Sequence, residues 1–305
     1  MHKRTERGHS LTDVKVGFMG LGRMGSAIAG RVADAGYDLV VWNRTPGREG
    51  DLTSRGATAA GSVDEACSGR DVAMTMLADD GALREVALGE GGIRAALAPG
   101  GIHVCMGTHG VGVVGELARA HADAGQVLVA APVLGRPDVA AAGGLGIVAA
   151  GPAAAVDRIR PLLAAIGRHT FDAGERPESA TAIKLANNFA LGCAIETMAE
   201  AFALVRKYDV DPAVFQEVLA GGLFAAPAYK VYGQIIVEQD YDRVGFTTRL
   251  ALKDIDLTLA AAGAATVPLP SGSVLRDRLL AAMAQGDAER DWAVLGREQA
   301  RASGL

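Results

Sequence analysis

The feature that most constrains the fold is a glycine motif, Gly20-x-Gly22-x-x-Gly25, between a short apolar run and an alanine-rich helical stretch. The apolar run, Val14 to Met19, is typical of a buried strand. A strand, a glycine turn and a helix in this order form a binding site for a nucleotide pyrophosphate. The first glycine permits a tight turn, the second lets the backbone approach the phosphates, and the third lets the helix pack closely on the strand. The helix N-terminus then offers free N–H groups and a partial positive charge.

A second match to this motif shows that the glycines alone are not specific. Gly110-x-Gly112-x-x-Gly115 also follows an apolar run, residues 102–106. About 20 residues beyond a true dinucleotide motif, the next strand should end in a residue that contacts the adenosine ribose. Beyond the second motif that strand ends in Ala131-Pro132, which has no side chain to hold a ribose. We therefore expect a glycine-rich turn here and the cofactor site at the first motif.

The residues that follow the first motif indicate which dinucleotide binds. The strand expected at residues 38–42 ends in Asn43-Arg44-Thr45. An acidic side chain there would accept hydrogen bonds from a free 2′-hydroxyl and repel a 2′-phosphate, but Asn43 is neutral. The neighbouring Arg44 guanidinium can bind a phosphate through paired hydrogen bonds. The sequence therefore predicts NADP(H) over NAD(H), and a solvated loop arginine is the alternative for Arg44.

Composition narrows the functional class. The chain has 305 residues, half of them apolar, which is enough for two domains or one large one. A formal net charge of −5 argues against a nucleic-acid surface, which usually carries clustered Lys and Arg. Three scattered cysteines without a C-x-x-C pattern fit a reducing cytoplasm, and six scattered histidines suggest no metal site. We expect a cytoplasmic protein with a small-molecule substrate, no bound metal and no nucleic-acid partner.

No segment predicts export or a membrane span. Residues 1–10 are polar and basic and lack an apolar core, so we expect a flexible tail at residues 1–11 rather than a signal peptide. The longest apolar stretch, residues 182–205, contains two amides and three charged side chains. It is therefore expected to be too polar for an isolated span, and no membrane partner is expected.

Strand-like and helix-like segments alternate over the first half of the chain. Such alternation predicts a mostly parallel sheet covered by helices on both faces. The strands are expected at residues 14–19, 38–42, 71–76, 102–106, 126–130, 145–150 and 168–171. The helices are expected at about residues 23–35, 62–68, 80–88, 111–124 and 153–165. We therefore expect an α/β, Rossmann-like NADP-binding domain over residues 12–176.

After Pro177 no convincing strand follows. A helix expected over residues 177–207 is apolar nearly all round and must be buried on most sides. We expect it to join two domains and to be partly covered by another subunit of a homodimer or larger homo-oligomer. Helical patterns at about 211–220, 227–238, 246–262, 271–285 and 287–302 then predict an all-helical domain over residues 208–305, for substrate binding and dimerisation.

Several motifs together resemble the β-hydroxyacid dehydrogenase family. They are Val16-Gly-Phe-Met-Gly-Leu-Gly-Arg-Met-Gly25, Asn43-Arg44-Thr45, Ala182-Ile-Lys-Leu-Ala-Asn-Asn188 and Leu252-Lys253-Asp254, and the resemblance spans nearly the whole chain. The family includes 3-hydroxyisobutyrate dehydrogenases, tartronate semialdehyde reductases, glyoxylate/succinic semialdehyde reductases and, more distantly, imine reductases. The resemblance implies a nicotinamide cofactor, and Asn43-Arg44-Thr45 looks like the version found in NADP-using members.

The resemblance also implies a set of cofactor contacts. Thr108 matches a family Ser/Thr beside the cofactor, and Lys253 matches a cofactor-facing lysine of the helical domain. An ordinary turn threonine is the alternative for Thr108, and surface pairing with Asp254 or Asp256 is the alternative for Lys253. The backbone of residues 76–78 should pass under the nicotinamide ribose. The expected cofactor-binding residues are Gly20, Leu21, Gly22, Arg23, Met24, Asn43, Arg44, Thr45, Met76, Leu77, Ala78, Thr108 and Lys253.

One segment departs from the family pattern. Members that handle small carboxylates usually have Asp-Ala-Pro-Val-Ser-Gly-Gly for the substrate, whereas this chain has Ala130-Ala-Pro-Val-Leu134-Gly135-Arg136. We expect Leu134, Gly135 and Arg136 to line the substrate pocket. Arg136 either binds a substrate carboxylate or is an arginine of the pocket rim.

Lys184 is the candidate general acid and base. A desolvated lysine loses pKa and can then exchange a proton near neutral pH. Asn188 lies one helical turn later on the same face, where its amide could orient the lysine or the substrate oxygen. The resemblance implies the same two catalytic roles. A lysine whose aliphatic stem is buried at a domain boundary is the alternative.

The predicted function is hydride transfer between nicotinamide C4 and a small aldehyde, ketone or hydroxyacid, by an NADPH-dependent oxidoreductase. Reduction of a cyclic imine is the nearest alternative, because Leu134 makes the pocket more apolar. The ammonium of Lys184 argues against it, because it would repel a protonated imine. A non-catalytic NADP(H)-binding protein is the third interpretation, and the presence of both Lys184 and Asn188 disfavours it.

Overall fold

The computed structural model describes residues 14–305, in two compact units. The boundary between them falls between Lys184 and Leu185, inside a helix of 31 residues. The tail expected at residues 1–11 lies outside the described residues.

A six-stranded parallel sheet forms the centre of the N-terminal unit. Its order is β3-β2-β1-β4-β5-β6, so the direction of winding reverses between β1 and β4. Ligands of such sheets bind outside the carboxyl ends of the strands at this reversal. The strands are β1 (Lys15–Met19), β2 (Asp38–Trp42), β3 (Thr58–Ala59), β4 (Val72–Thr75), β5 (Ile102–Cys105) and β6 (Val127–Ala130).

Both faces of this sheet are buried, as the sequence predicts. Val16 and Phe18 of β1 belong to one apolar core, whereas Met19 belongs to the other. Successive side chains of a strand point to opposite faces, so a strand that is apolar throughout serves two cores. The helices of this part are α1 (Arg23–Asp34), α2 (Gly50–Ser54), α3 (Val63–Cys67), α4 (Asp80–Leu88), α5 (Ile93–Ala96) and α6 (Val111–Asp123).

A second, three-stranded sheet follows the main one. It contains β7 (Val133–Leu134), β8 (Leu145–Ala149) and β9 (Gly167–Asp172), with α7 (Pro137–Ala141) and α8 (Ala153–Ile166) between them. β7 pairs antiparallel with β8, and β8 pairs parallel with β9. The expected strands at 145–150 and 168–171 therefore do not extend the parallel sheet. Only Ala131-Pro132 separates β6 from β7, too few residues for the crossover that a parallel neighbour needs.

The C-terminal unit is helical. Its elements are α9 (Pro177–Lys207, from Leu185 onward), α10 (Pro212–Gly221), α11 (Pro227–Glu238), α12 (Thr248–Ala264), α13 (Pro270–Ala284), a 3-10 helix (Trp292–Val294) and α14 (Leu295–Ala302). The last helical segment begins at Trp292 rather than at residue 287. The Asp291 carboxylate accepts hydrogen bonds from the N–H groups of Gly245 and Ala293, so it caps the segment there.

The long helix α9 is less buried than its composition suggests. Ile183 is 46% exposed and Leu204 is 60% exposed. By length and hydropathy α9 also passes the test for a membrane-spanning helix, a test that core helices of soluble proteins pass as well. The polar residues of α9 therefore do not by themselves exclude a membrane span. The expectation that this helix is too polar to cross a membrane needs this correction.

Candidate active site

The three glycines of the first motif have three different environments. Gly20 has a φ of +100°, and a Cβ there would lie 2.4 Å from the carbonyl oxygen of Met76. A Cβ on Gly25 would lie 1.9 Å from the carbonyl oxygen of Gly20, so only glycine lets α1 pack this closely on the turn. At Gly22 no heavy atom of the described residues lies within 4 Å of the Cβ position. The turn is thus filled by protein at its first and third glycines and open at the second, as a pyrophosphate requires.

The N-terminus of α1 is suited to an anion. Gly22 is the N-cap residue, and neither a capping side chain nor an acidic residue of the first turn occupies the free N–H groups. Arg23, the first residue of α1, is exposed, while Met24 packs against the core. A dinucleotide phosphate therefore fits the donors available at this helix end.

A cleft of about 570 Å³ lies at the carboxyl ends of β1, β2 and β4. The predicted cofactor residues that line it are Gly20, Gly22, Asn43, Arg44, Thr45, Met76, Leu77 and Ala78. Leu21 is buried beneath the turn. Thr108 follows β5 and is half-buried, but it is not part of the cleft lining.

Asn43 fixes the shape of this cleft. Its amide oxygen accepts a hydrogen bond from the Leu21 N–H at 2.8 Å, and its amide nitrogen donates to the Thr45 carbonyl at 2.8 Å. The side chain therefore joins the glycine turn after β1 to the loop after β2. A carboxylate could accept from Leu21 but could not donate to Thr45, so the amide suits both contacts.

Two arginines line the cleft beside Asn43. Arg44 and Arg48 are both exposed, and neither forms an ion pair with a carboxylate of residues 14–305. Sequence reasoning missed Arg48. The sequence signal that could have indicated Arg48 is Gly47. In the structure this glycine has a φ of +91°, which turns the chain back between the two arginines. The cleft also contains carboxylates, namely Asp64, Asp79, Glu85 and Glu90.

The second glycine motif differs in geometry from the first. Gly110 has an ordinary φ of −71°, and its N–H donates to the Asp80 carboxylate at 3.0 Å. His109 Nδ1 lies 3.2 Å from the same carboxylate. An internal carboxylate thus holds the position that an anionic ligand would take at the start of α6.

Lys184 and Asn188 lie four residues apart on α9. Lys184 is half-buried, whereas Asn188 is 7% exposed. The Asn188 amide nitrogen donates a hydrogen bond to Asp254 Oδ2 at 2.6 Å. This bond fixes the orientation of the amide and directs its carbonyl oxygen away from Asp254.

Asp254 is the functional candidate that sequence reasoning missed. It is 2% exposed, and its Oδ1 lies 3.0 Å from Lys253 Nζ. Surface pairing with Asp254 or Asp256 is the alternative interpretation of Lys253. It needs correction, because the carboxylate that pairs with Lys253 is the buried Asp254. The Thr258 hydroxyl donates to the main-chain carbonyl of Asp254 at 2.7 Å. Asp254 thus contacts both the Asn188 amide and the Lys253 ammonium through one buried carboxylate.

The predicted substrate segment lies at the end of β7. Gly135 has a φ of +145°, and a Cβ there would lie 2.8 Å from the Leu145 side chain. Arg136 is the N-cap residue of α7. Its Nε is buried, lies 3.7 Å from Asp138 Oδ1 and has no hydrogen-bond partner among residues 14–305. Leu134 packs against the sheet core. None of Leu134, Gly135 and Arg136 lines the cofactor cleft.

No metal centre is evident in the described part of the chain. Residues 14–305 contain no group of three or more His, Cys, Asp or Glu side chains that could hold a metal ion.

Comparison with known proteins identifies the family. Residues 15–174 match the model for the NAD binding domain of 6-phosphogluconate dehydrogenase. Residues 179–297 match the model for the NAD-binding domain of NADP-dependent 3-hydroxyisobutyrate dehydrogenase. The chain belongs to the β-hydroxyacid dehydrogenase family. The chain is therefore an NAD(P)-dependent oxidoreductase, and the resemblance seen in the sequence is confirmed.

Relatives from this family match along nearly the whole chain. An uncharacterized oxidoreductase of Bacillus subtilis, YfjR, is 41% identical over 92% of this chain and 98% of its own length. A 3-hydroxyisobutyrate dehydrogenase of Pseudomonas aeruginosa is 33% identical over 92% of this chain and 95% of its own length.

Solved structures share the fold. A 3-hydroxyisobutyrate dehydrogenase from Salmonella typhimurium has a TM-score of 0.83 at 25% identity, covering 93% of this chain and 99% of that one. An imine reductase from a Pseudomonas species has a TM-score of 0.57 at 22% identity, covering 93% and 99%. The second likeness concerns the fold alone.

Proposed function

We propose that this protein is an NADPH-dependent oxidoreductase of a small carbonyl or 3-hydroxyacid substrate, with Lys184 as general acid and base. The observation that carries the proposal is an open pyrophosphate turn next to the neutral Asn43 and to Arg44 and Arg48, which have no ion-pair partner within residues 14–305. A 2′-phosphate gains charge-assisted hydrogen bonds from such guanidinium groups and meets no carboxylate at the end of β2.

The chemistry divides between cofactor and protein. When bound, the dinucleotide supplies or accepts the hydride. The Lys184 ammonium donates a proton to the substrate oxygen as that oxygen becomes an alkoxide. In the oxidative direction the neutral amine accepts the proton from the hydroxyl.

Asn188 positions the reacting groups. Its amide nitrogen is held by Asp254, and its carbonyl oxygen, which lies 3.5 Å from the Asn187 amide nitrogen, can accept a further hydrogen bond one turn from Lys184. Lys253, predicted to face the cofactor, remains paired with the same carboxylate. We propose that Asp254 keeps both side chains oriented.

Arg136 is the proposed carboxylate-binding residue of the substrate segment. Its buried Nε has no hydrogen-bond partner in the described part of the chain, and its neighbour Asp138 is largely exposed, so their ion pair contributes little. A substrate carboxylate would satisfy this orphaned donor. Leu134 would contact the aliphatic part of such a substrate.

Steady-state kinetics test the proposal. NADPH oxidation is measured with succinic semialdehyde and glyoxylate and compared with 1-pyrroline, each repeated with NADH. We expect carbonyl reduction with NADPH to be preferred. A strong preference for 1-pyrroline would instead establish imine reduction, the alternative that the more apolar Leu134 favours.

A lysine variant tests the catalytic role. Lys184→Ala should bind NADPH normally yet lose at least about 100-fold in turnover, the lower end of a general acid–base contribution. Lys207→Ala, at the exposed end of the same helix, is the matched control and should retain activity. Unchanged turnover in Lys184→Ala would remove this lysine from the mechanism. No turnover by the unmodified protein with any substrate would favour a non-catalytic NADP(H)-binding protein.

We further propose that the protein acts in the cytoplasm as a homodimer or larger homo-oligomer. The support is the sparse, scattered cysteine content and the exposed apolar side chains of α9.

A further inference from the structure

A second cavity lies within the helical unit, apart from every residue assigned above. It has a volume of about 230 Å³ and lies where the C-terminal part of α9, the end of α11 and α14 meet. Its apolar wall includes Phe202, Ile236 and Ala300, all buried. The polar side of its lining includes Arg206, Arg297, Arg301 and Tyr241. The reaction proposed above uses none of these residues.

The arginines outnumber the carboxylates available to them. Arg206 forms no ion pair with any residue of the described chain. Arg297 and Arg301 both share the buried Asp287 carboxylate, which also pairs with Arg290 at 3.4 Å. Arg301 lies 3.7 Å from Glu298 as well. Leu305 also lines the cavity. Its main-chain carboxylate forms no ion pair with these arginines in the described chain.

A buried donor at the cavity lacks a hydrogen-bond partner among the described residues. Arg297 Nε is buried and has no acceptor. The Tyr241 hydroxyl, on a side chain that is 3% exposed, makes no hydrogen bond to another described residue, although Arg297 lies over its ring at 5.4 Å. Burial raises the pKa of Tyr241 to about 12, so at neutral pH its hydroxyl is a donor. Buried donors usually have acceptors, so Arg297 Nε points to a ligand that accepts, and the Tyr241 hydroxyl offers that ligand a second donor.

We propose that this cavity binds a small organic anion, an oxyanion group carried on a compact apolar body. Arg206, Arg297 and the Tyr241 hydroxyl would donate to the oxyanion, while Phe202 and Ile236 would contact the apolar part. Guanidinium groups bind carboxylate and phosphate alike through paired donors, so both belong to this class. Gly296 lets α14 pack closely on α11 at the cavity wall, because a Cβ there would lie 2.9 Å from Ile236 and 3.2 Å from the Tyr241 oxygen.

Calorimetric titration with benzoate, phenyl phosphate and inorganic phosphate tests the site. The protein is first saturated with NADP⁺, so that the cofactor cleft contributes no anion binding. We expect saturable 1:1 binding of benzoate or phenyl phosphate, and weaker binding of inorganic phosphate because it lacks an apolar body. Binding of benzoate alone or phenyl phosphate alone identifies which oxyanion the site prefers.

Variants assign the binding to the cavity. Arg206→Gln should weaken binding about 10- to 100-fold, and Tyr241→Phe about 3- to 10-fold, as expected for a charged and a neutral donor. The matched control is Arg243→Gln, an exposed arginine of the same unit that lies outside the cavity lining. It should leave affinity within about 2-fold, because screening of an exposed charge is strong. Arg206→Lys keeps the charge without the paired donors, and it replaces Arg206→Gln if that variant does not fold.

Several outcomes would overturn the proposal. They are no saturable binding of either organic anion, inorganic phosphate binding as tightly as phenyl phosphate, and equal losses in Arg206→Gln and Arg243→Gln. Carbonyl reduction by Arg206→Gln should stay unchanged without added anion. Failure at this site is therefore distinguishable from failure of the proposed oxidoreductase activity.

Discussion

At the scale of single residues, Asp254 carries the most chemical consequence. It is a buried carboxylate that accepts from the Asn188 amide and pairs with Lys253. Burying a charge is costly unless it is paired and hydrogen-bonded. Asn188 and Lys253 are both predicted to act in the reaction. The buried Asp254 carboxylate is therefore positioned to hold these two side chains in place.

An isosteric change tests this link. Asp254→Asn should lower kcat/KM about 10- to 100-fold, since a hydrogen bond to a charged group contributes ~1.5–3 kcal/mol and each ~1.4 kcal/mol is tenfold. Steady-state kinetics with the preferred carbonyl measure it. Asp256→Asn, two residues along α12 and paired with Arg276 on the surface, is the control and should be nearly silent. Equal effects in the two variants would contradict the positioning role.

The arginines of the cofactor cleft give a second prediction at this scale. Arg44→Ala should raise the KM for NADPH about 10-fold or more and leave that for NADH nearly unchanged, because only NADPH offers a 2′-phosphate to a guanidinium. Arg48→Ala should act in the same direction. Arg119→Ala, an exposed arginine of α6 outside the cleft, should change neither KM. A parallel rise for both cofactors would show that Arg44 does not discriminate between them.

At the scale of secondary-structure elements, a chain of buried polar side chains joins β4, β5 and α6. The Gln126 amide nitrogen donates to the carbonyls of Arg94 and Leu97, so its oxygen must accept from His121 Nδ1. His121 Nε2 then accepts from His103 Nδ1 at 2.9 Å. His103 Nε2 in turn accepts from the Thr75 hydroxyl at 2.9 Å. Each ring carries one proton in this arrangement, and burial of both rings disfavours a second proton on either of them.

This chain predicts a pH dependence of stability. Burial, with His121 and His109 nearby, lowers the pKa of His103 well below its usual range, and burial also lowers that of His121. In the unfolded chain these histidines are protonated below about pH 6.5, whereas in the folded chain they stay neutral to lower pH. Stability is therefore full above that pH and falls below it. A histidine that stays neutral in the folded protein at pH 5 lowers the free energy of unfolding there by about 2 kcal/mol relative to neutral pH. Chemical denaturation at pH 7.5 and pH 5 measures the loss.

Variants assign the pH dependence to the buried pair. His121→Gln should reduce the difference in unfolding free energy between the two pH values. His169→Gln changes an exposed histidine of β9 and should leave that difference unaltered. Equal slopes in His121→Gln and the unmodified protein would assign the acid sensitivity to other groups.

At the scale of the whole molecule, the exposed apolar side chains predict self-association. Leu204 of α9 is 60% exposed, and Val214 and Val218 of α10 are 54% and 67% exposed. Such side chains favour burial against a partner. Leu204→Asp should shift the protein toward the monomer in light scattering, whereas Val267→Asp, at a similarly exposed position after α12, should not. A monomeric unmodified protein at micromolar concentration would contradict the proposed assembly.

The sequence by itself determined the elements whose signals are local. Residues 38–42 and 80–88 form β2 and α4 at the predicted bounds, because hydrophobic periodicity and capping residues act within a few positions. The family also followed from contiguous motifs around Gly20, Lys184 and Lys253. The open pyrophosphate turn depends on three glycines within six residues, so its geometry is also largely local.

Only the tertiary structure decided the contacts between distant segments. Asn43 bonds Leu21 across 22 positions, and Asn188 bonds Asp254 across 66. The placement of β8 and β9 in a second sheet depends on pairing between strands that α7 and α8 separate in the chain. The cavity of the helical unit is lined by arginines of α9 and α14, which lie about ninety residues apart in the chain. These features depend on which surfaces meet when the chain packs, and periodicity within one segment carries no information about that.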